Sequence, residues 1–333
     1  MNKLSQKYSS HRLTTAPMLD WTDRHFRFMV RLLCQNARLY SEMIHANALI
    51  YGNQDTFLLH HDTQHNTALQ LGGSNPQALA KACKIAGDYG YVEINLNCGC
   101  PSPRVQKGLF GACLMREVDL VAVCLSAMAN ATDIEITVKH RIGIDEDEDY
   151  SVVQDFVGTL AHKTPCRTFI IHARNAWLNG LSPKENRDIP PLKYDFVYRI
   201  KQDFPELNII INGGIIDNQS IAEHLKYTDG VMLGRAIYHN PMLMKDWDNL
   251  FFGIQEKLIT DDELIEKLYC YAKHEVANHT PLRHIVKQWL GLFYGQDGVK
   301  LWRQTLSDSK LLTQNNPDLI LQAFDKMKAF QAA

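Results

Sequence analysis

The sequence predicts an α/β fold, a (β/α)8 TIM barrel followed by a small all-helical C-terminal domain. Three observations lead there. Eight short apolar runs recur over the first three-quarters of the 333 residues. Amphipathic stretches separate several of them. Beyond about residue 245 the strand pattern stops and only helical periodicity continues. Strand and helix patterns that alternate through short connections indicate a parallel sheet, and eight such units close a barrel.

The strand candidates, in order, are Leu13–Met18, Arg38–Met43, Thr67–Leu71, Tyr91–Leu96, Ile134–Lys139, Thr168–His172, Asn208–Ile211 and Gly230–Leu233. Helical spacing marks Asp23–Cys34, Pro76–Tyr89, Val118–Asn130, Tyr150–His162, Asp195–Asp203 and Asn218–Lys226 between them. Pro76 suits a first helical turn, where its missing N–H costs nothing, and Asn75 is placed to cap it. A doubly wound open sheet is the alternative, weakened because no GxGxxG follows an early strand. The remainder reads as helices over Asp261–Asn278, Leu282–Phe293, Val299–Leu306 and Pro317–Phe330. The expected division is therefore a catalytic barrel over 1–245 and a helical domain over 246–333.

Composition narrows the function classes. With 45% hydrophobic residues the chain has material for a core, which argues against disorder. A formal charge of −2 gives no general attraction to polyanions, so a nucleic-acid partner needs a local basic patch. The eight cysteines are scattered, the N-terminal MNKLSQKYSSHR has no apolar signal-like run, and the apolar run Val121–Ala129 falls short of the ~20 residues that span a bilayer. A reduced, cytoplasmic protein with no membrane association is expected, and nothing forces a dimer, so a monomer is expected. Cys98 and Cys100 lack the second ligand pair a structural zinc needs, so no metal is expected.

The most informative stretch is Tyr91–Met115. Its strand breaks at Asn97-Cys98-Gly99-Cys100-Pro101, which places the Cys100 thiol on a turn at the carboxyl end of a strand. In a barrel, that end of the strands carries the chemistry. Other strand ends deliver Pro17, Met18 and Leu19; Gln70; Lys139; His172 and Arg174; Asn212, Gly213 and Gly214; and Gly234 and Arg235. Gly213 and Gly214 let backbone N–H groups approach an anion, and Arg235 adds a charge-assisted hydrogen bond. The loops after strands seven and eight are the usual phosphate site of such barrels. A ligand with one phosphate and a flat ring fits this set. Flavin mononucleotide has that shape, and pyridoxal phosphate, bonded through Lys139, is the other reading. Taken singly, Cys100 reads as a small buried hydrophobe, His172 as a satisfied histidine and Lys139 as a solvated side chain. Their joint position on one rim favours function.

At this level the motifs APMLDWTDRHFR, LYSEMIHANALI, ALQLGG, EINLNCGCPSPRVQKGLFGACLM, VKHRIGID, FIIHARNAWLNGLSPKENRDIPPL, INGGI and GVMLGRAIYHNP resemble the tRNA-dihydrouridine synthases. The likeness is greatest to the A-type that acts on D-loop positions 20 and 20a. It runs from about Leu13 to Ser307, and the SPKENRDIPPL segment carries most of the subfamily likeness. The resemblance implies FMN held by Pro17, Met18, Leu19, Gln70, Lys139, His172, Asn212, Gly213, Gly214, Gly234 and Arg235. It implies Cys100 as the catalytic acid and NADPH or NADH as a transient hydride donor. It also implies contacts to the tRNA D-loop and elbow from Asn97, Lys184, Arg187, Lys300 and Arg303. Where the family often has Arg-His before LGLF, this chain has Lys287-Gln288-Trp289. An FMN-dependent barrel reductase of a free pyrimidine, or an RNA-binding barrel without cofactor, would share part of this pattern.

Overall fold

A computed structural model describes residues 9–60 and 65–332. Of the N-terminal MNKLSQKYSSHR, read above for a secretory signal, residues 1–8 lie outside them. Among the described residues no helix is long and apolar enough to cross a membrane.

Eight parallel strands form one sheet: β1 (Leu13–Thr15), β2 (Leu39–His45), β3 (Thr67–Gly72), β4 (Glu93–Cys98), β5 (Glu135–Arg141), β6 (Thr168–His172), β7 (Asn208–Asn212) and β8 (Gly230–Leu233). Their order is β1-β8-β7-β6-β5-β4-β3-β2. A parallel bridge between Thr14 and Arg38 joins the two ends, with the Thr15 N–H donating to the Arg38 carbonyl at 3.0 Å. The ring is thereby closed, and the strands fall within two residues of the expected runs except β1, which ends at Thr15, three residues before the expected Met18. Tyr91 and Val92 of the fourth run are left outside because the pairing register begins at Glu93.

The chain divides into two compact units, one containing the stretch up to Thr22 with Ala37–Gly234, the other Asp23–Asn36 with Arg235–Ala333. The first unit holds the barrel and the helices α2 (Ala46–Tyr51), α3 (Gln54–Leu58), α4 (Pro76–Gly87), α5 (Pro103–Lys107), α6 (Val118–Ala129), α7 (Tyr150–Lys163), α8 (Tyr194–Asp203) and α9 (Asn218–His224), while α1 (Arg24–Leu33) belongs to the second. Asn75 caps α4 as expected, its side-chain oxygen accepting from Ala78 N–H at 2.8 Å. The short α2, α3 and α5 were not legible as helices, since five or six residues show no periodicity.

The second unit packs α1 with α10 (Arg235–His239), α11 (Trp247–Phe251), α12 (Asp261–Ala277), α13 (Leu282–Val286), α14 (Val299–Ser307), α15 (Ser309–Leu312) and α16 (Leu319–Gln331). Specific contacts explain why α1 groups here. Tyr271 stacks on Phe28 with ring centroids 3.9 Å apart, and its hydroxyl lies 2.7 Å from His25 Nδ1. Trp289 donates to the His25 carbonyl, and the Asp248 carboxylate takes the backbone N–H groups of Gln35 and Asn36. The expected helix over 282–293 breaks after Val286 into a 3-10 turn, Lys287–Trp289, which drives Trp289 fully into the core. Gln288 is buried too, donating to Asp23 Oδ2 at 2.5 Å. The chain's departure at this residue therefore serves packing within the helical unit.

Period-two alternation fixes what faces the barrel interior. Ala16, Tyr40, Ala68, Ile170, Ile210 and Met232 form one inner cluster, with Met18 packed against it. Below them Glu93 is fully buried, and its carboxylate accepts from Arg38 at 3.1 Å, Tyr40 at 2.5 Å and Thr137 at 2.5 Å, with His11 Nε2 at 2.8 Å. Burial alone would raise this carboxyl, but His11 and Arg38 outweigh it and hold Glu93 below the usual carboxylate range. His11, Glu93 and Glu135 also cluster closely enough to suggest cation ligands. The Arg38 guanidinium already supplies the positive charge there.

At Gly230 an added Cβ would collide with the His11 carbonyl oxygen, a backbone atom that has little room to move. Gly230→Ala should lower unfolding free energy by about 1–3 kcal/mol, read as a lower urea midpoint at unchanged slope. A midpoint equal to wild type would show that β8 does not lie against the 3-10 turn Ser10–Arg12 before β1 in solution.

Candidate active site

Strand register builds the site. Gln70 pairs with Asn95, Asn97 with Lys139, Lys139 with Ile170, and His172 with Asn212. On β4, Asn95 and Asn97 are two residues apart and share the inward face, whereas Cys98 faces outward. Cys98 is fully buried, and burial raises its thiol well above the ordinary value. It is a packing residue.

Cys100 lies past the strand end and is half-buried. Its backbone N–H and that of Gly99 donate to Asn97 Oδ1, at 3.0 and 3.2 Å. Its carbonyl accepts from Ala112 N–H at 2.9 Å. Gly111, at φ +75°, makes that possible, since a Cβ there would sit 2.6 Å from the Cys100 oxygen. Burial pushes the Cys100 thiol up; a Ser102 backbone hydrogen bond and the charges of Arg141, Lys139 and Arg187 act against it without reversing it. The group is a protonated thiol at neutral pH, suited to giving a proton and unlike an activated nucleophile.

Lys139 reaches across the rim, its Nζ 3.1 Å from Asn212 Oδ1, and Asn212 in turn donates to the Met232 carbonyl at 2.8 Å. Burial, with the charge of Arg141, pushes the Lys139 amine down to about 7. Gly213 and Gly214 have φ of +117° and +71°, and a Cβ on Gly213 would sit 2.6 Å from the His172 ring. Tyr194, which the sequence did not single out, anchors this turn by donating to the Gly213 carbonyl at 2.8 Å. Met18 and Pro17 are half-buried, while Leu19 is 64% exposed. Gly234 packs against Ala16 and Met18, and Arg235 follows it in the chain.

Arg141, the last residue of β5, is an organiser of the rim. It donates to the carbonyls of Gly99 (3.0 Å), Asn175 (2.8 Å) and Asn186 (2.9 Å), tying the loop after β4 to two points of the loop after β6. Those loops carry Cys100 and the exposed Lys184 and Arg187. Gln106 adds a second tie, to the carbonyls of Pro101 and Leu178 at 2.8 Å each. In the helical unit Lys300 is exposed, and Arg303 donates to the Leu290 carbonyl at 3.0 Å beside the Tyr294 ring. Asn97, by contrast, is 8% exposed, with its amide engaged at both ends inside the barrel.

The residues present fit a flat cofactor with a phosphate. Two adjacent glycines in the left-handed region leave a backbone turn with no side chains at the mouth. Gln70, Lys139 and His172 supply hydrogen-bonding groups from three different strands.

Comparison with known proteins identifies a family. A family described as "Dihydrouridine synthase (Dus)" matches residues 14–330. A protein from Vibrio vulnificus named tRNA-dihydrouridine(20/20a) synthase is 47% identical over 318 residues, covering 96% of this chain and 97% of its own. One of the same name from Yersinia pestis is 50% identical over 303 residues, 91% of this chain and 88% of its own. One from Synechocystis is 47% identical over 328 residues, 98% of each.

The lowered Lys139 amine has a sign that can be measured in the protein without cofactor. An unfolded lysine keeps its proton up to about pH 10.4, whereas folded Lys139 loses it through about 7. Between those values the unfolded chain binds more protons, so this contribution to stability rises with pH. Lys139→Met should flatten that part of the stability profile between pH 7 and 9.5. Parallel profiles for wild type and variant would contradict the lowered value.

Proposed function

The chain belongs to the dihydrouridine synthase family, and from that premise we propose that it reduces the C5–C6 double bond of uridine in the tRNA D-loop, at positions 20 and 20a. The single observation that carries the mechanism is the position of the half-buried Cys100 thiol past the end of β4, among the strand ends that bear Gln70, Lys139, His172 and the Gly213–Gly214 turn.

Gln70, Lys139 and His172, with Pro17, Met18 and Leu19, would hold the ring of FMN, and Asn212, Gly213, Gly214, Gly234 and Arg235 would hold its phosphate. When bound, FMN supplies hydride to uracil C6 and is recharged by NADPH or NADH. Negative charge then builds on C5 and the C4 carbonyl of the base. The Cys100 S–H gives its proton to C5 as a general acid, which completes the addition of two hydrogens, and the thiolate regains a proton from water. Burial serves this step, because it keeps the thiol protonated until the base needs it. The charges of Lys139, Arg141 and Arg187 then favour the thiolate left behind. Cys98, facing away, takes no part.

The uridine must leave its stack to reach the rim, at a cost of a few kcal/mol. With a net charge of −2, phosphate contacts must be local. Lys184 and Arg187 are assigned to them in the barrel unit, Lys300 and Arg303 in the helical unit, and Asn97 to the base. A free pyrimidine would need neither basic set. The family match extends through the helical unit to residue 330, which favours tRNA over the free-pyrimidine reading.

Cys100→Ala should purify with its cofactor and still be reduced by NADPH, while dihydrouridine formation in single turnover falls by roughly 10²-fold or more, the usual scale of a lost general acid. The check is rapid-quench mass spectrometry of tRNA. Formation at the wild-type rate would remove Cys100 from the mechanism.

A further inference from the structure

A line of buried side chains runs up the barrel interior from the Glu93 cluster to the Cys100 turn. A carboxylate can only accept hydrogen bonds. Glu93 Oε1 takes the Tyr40 and Thr137 hydroxyls, both at 2.5 Å. The single proton of Thr137 is thereby committed, so its oxygen must accept, and Asn95 Nδ2 donates to it at 2.7 Å. Asn95 consequently turns its oxygen to Gln70, whose Nε2 donates at 2.8 Å. Gln70 turns its own oxygen to Asn97, whose Nδ2 donates at 2.8 Å. Asn97 is left with its oxygen toward the turn, where the Gly99 and Cys100 N–H groups donate.

The same orientation follows from the other end. Backbone N–H groups can only donate, so Asn97 must show them its oxygen, and each amide below must then point the same way. The carboxylate at one end and the turn at the other demand one direction. Reversing any amide would set nitrogen against nitrogen and oxygen against oxygen in a buried site, leaving groups unsatisfied. Asn95, Gln70 and Thr137 are all at most 1% exposed, so water cannot repair the fault.

We propose that Glu93 is a positioning residue for the reaction, acting through Thr137, Asn95, Gln70 and Asn97 to fix the polarity of the amides on the rim and to hold the Cys100 turn. The inference rests on the assignment of Cys100 and Gln70 to catalysis and cofactor binding made above. It gives Asn95 and Thr137, which touch neither substrate nor cofactor, a role in setting which hydrogen-bonding groups Gln70 and Asn97 have left to offer.

Thr137→Val tests it, because it removes the one hydroxyl between carboxylate and amides and leaves Arg38, His11 and Tyr40 on Glu93. Thr137→Ser keeps the hydroxyl. Backbone amide exchange at Gly99 and Cys100, measured in the protein without cofactor, should rise about tenfold in the valine variant, the scale of one lost hydrogen bond. In the loaded enzyme kcat should fall by a similar factor with KM for tRNA nearly unchanged. Serine should restore both. Wild-type exchange in the valine variant, or lost thermal stability with both readouts unmoved, would overturn the proposal, as would faster exchange with unchanged kcat. Neutron diffraction of the wild-type protein gives the answer without any variant: deuterons belong on the nitrogens facing Thr137, Asn95 and Gln70, and one reversed amide refutes the relay. The exchange readout needs no turnover, so it stands apart from a failure of the Cys100 assignment, which Cys100→Ala reports.

Discussion

Arg38 closes the barrel with its backbone and anchors the interior with its side chain. Its carbonyl accepts from Thr15 and its N–H meets the carbonyls of Ser10 and Leu13, which joins β2 to β1. Its guanidinium reaches Ser10 Oγ and the Glu93 carboxylate. Without a partner, a carboxylate in that setting would take up a proton or cost several kcal/mol, and removing one side of a buried pair typically costs about 3–5 kcal/mol. Ring closure and charge burial are thus one interaction, and the rest of the barrel unit is built on it.

Closure has a functional consequence, because it forces alternate residues of eight strands to share one interior. An apolar inner cluster and the Glu93 cluster fill part of that interior, and Gln70, Asn95 and Asn97 add polar groups to it from β3 and β4. Gln70, Asn97, Lys139, His172 and Asn212 arrive together for that reason. The two cysteines of the Asn97–Pro101 stretch show how sharp the division is. One residue of pleat sends Cys98 outward into packing, and two residues of turn bring Cys100 to the rim, where it is proposed as the proton donor. The stretch that organises the sequence is held from below by Asn97 and from the side by Arg141.

Much of this was legible in the sequence because strand runs, the Asn75 cap and the polar residues ending each strand are local signals. The rest depended on contacts far apart in the chain. That α1 groups with the C-terminal helices rests on His25 meeting Tyr271 and Asp23 meeting Gln288, pairs about 250 residues apart that no window could join. Glu93 has no such local signal, and its four partners come from three separate segments: His11, Arg38 with Tyr40, and Thr137. Arg141 was visible at a strand end, but its role as a tie between loops needed their carbonyl positions. The tRNA contacts proposed for Lys184, Arg187, Lys300 and Arg303 come only through resemblance, since basic surface residues leave no packing signature.

The most direct test is mass-spectrometric mapping of dihydrouridine in tRNA from cells that lack this gene, with and without the restored gene. The account predicts that dihydrouridine disappears at positions 20 and 20a, persists at other D-loop positions, and returns with the wild-type gene. Unchanged dihydrouridine at both positions would contradict it.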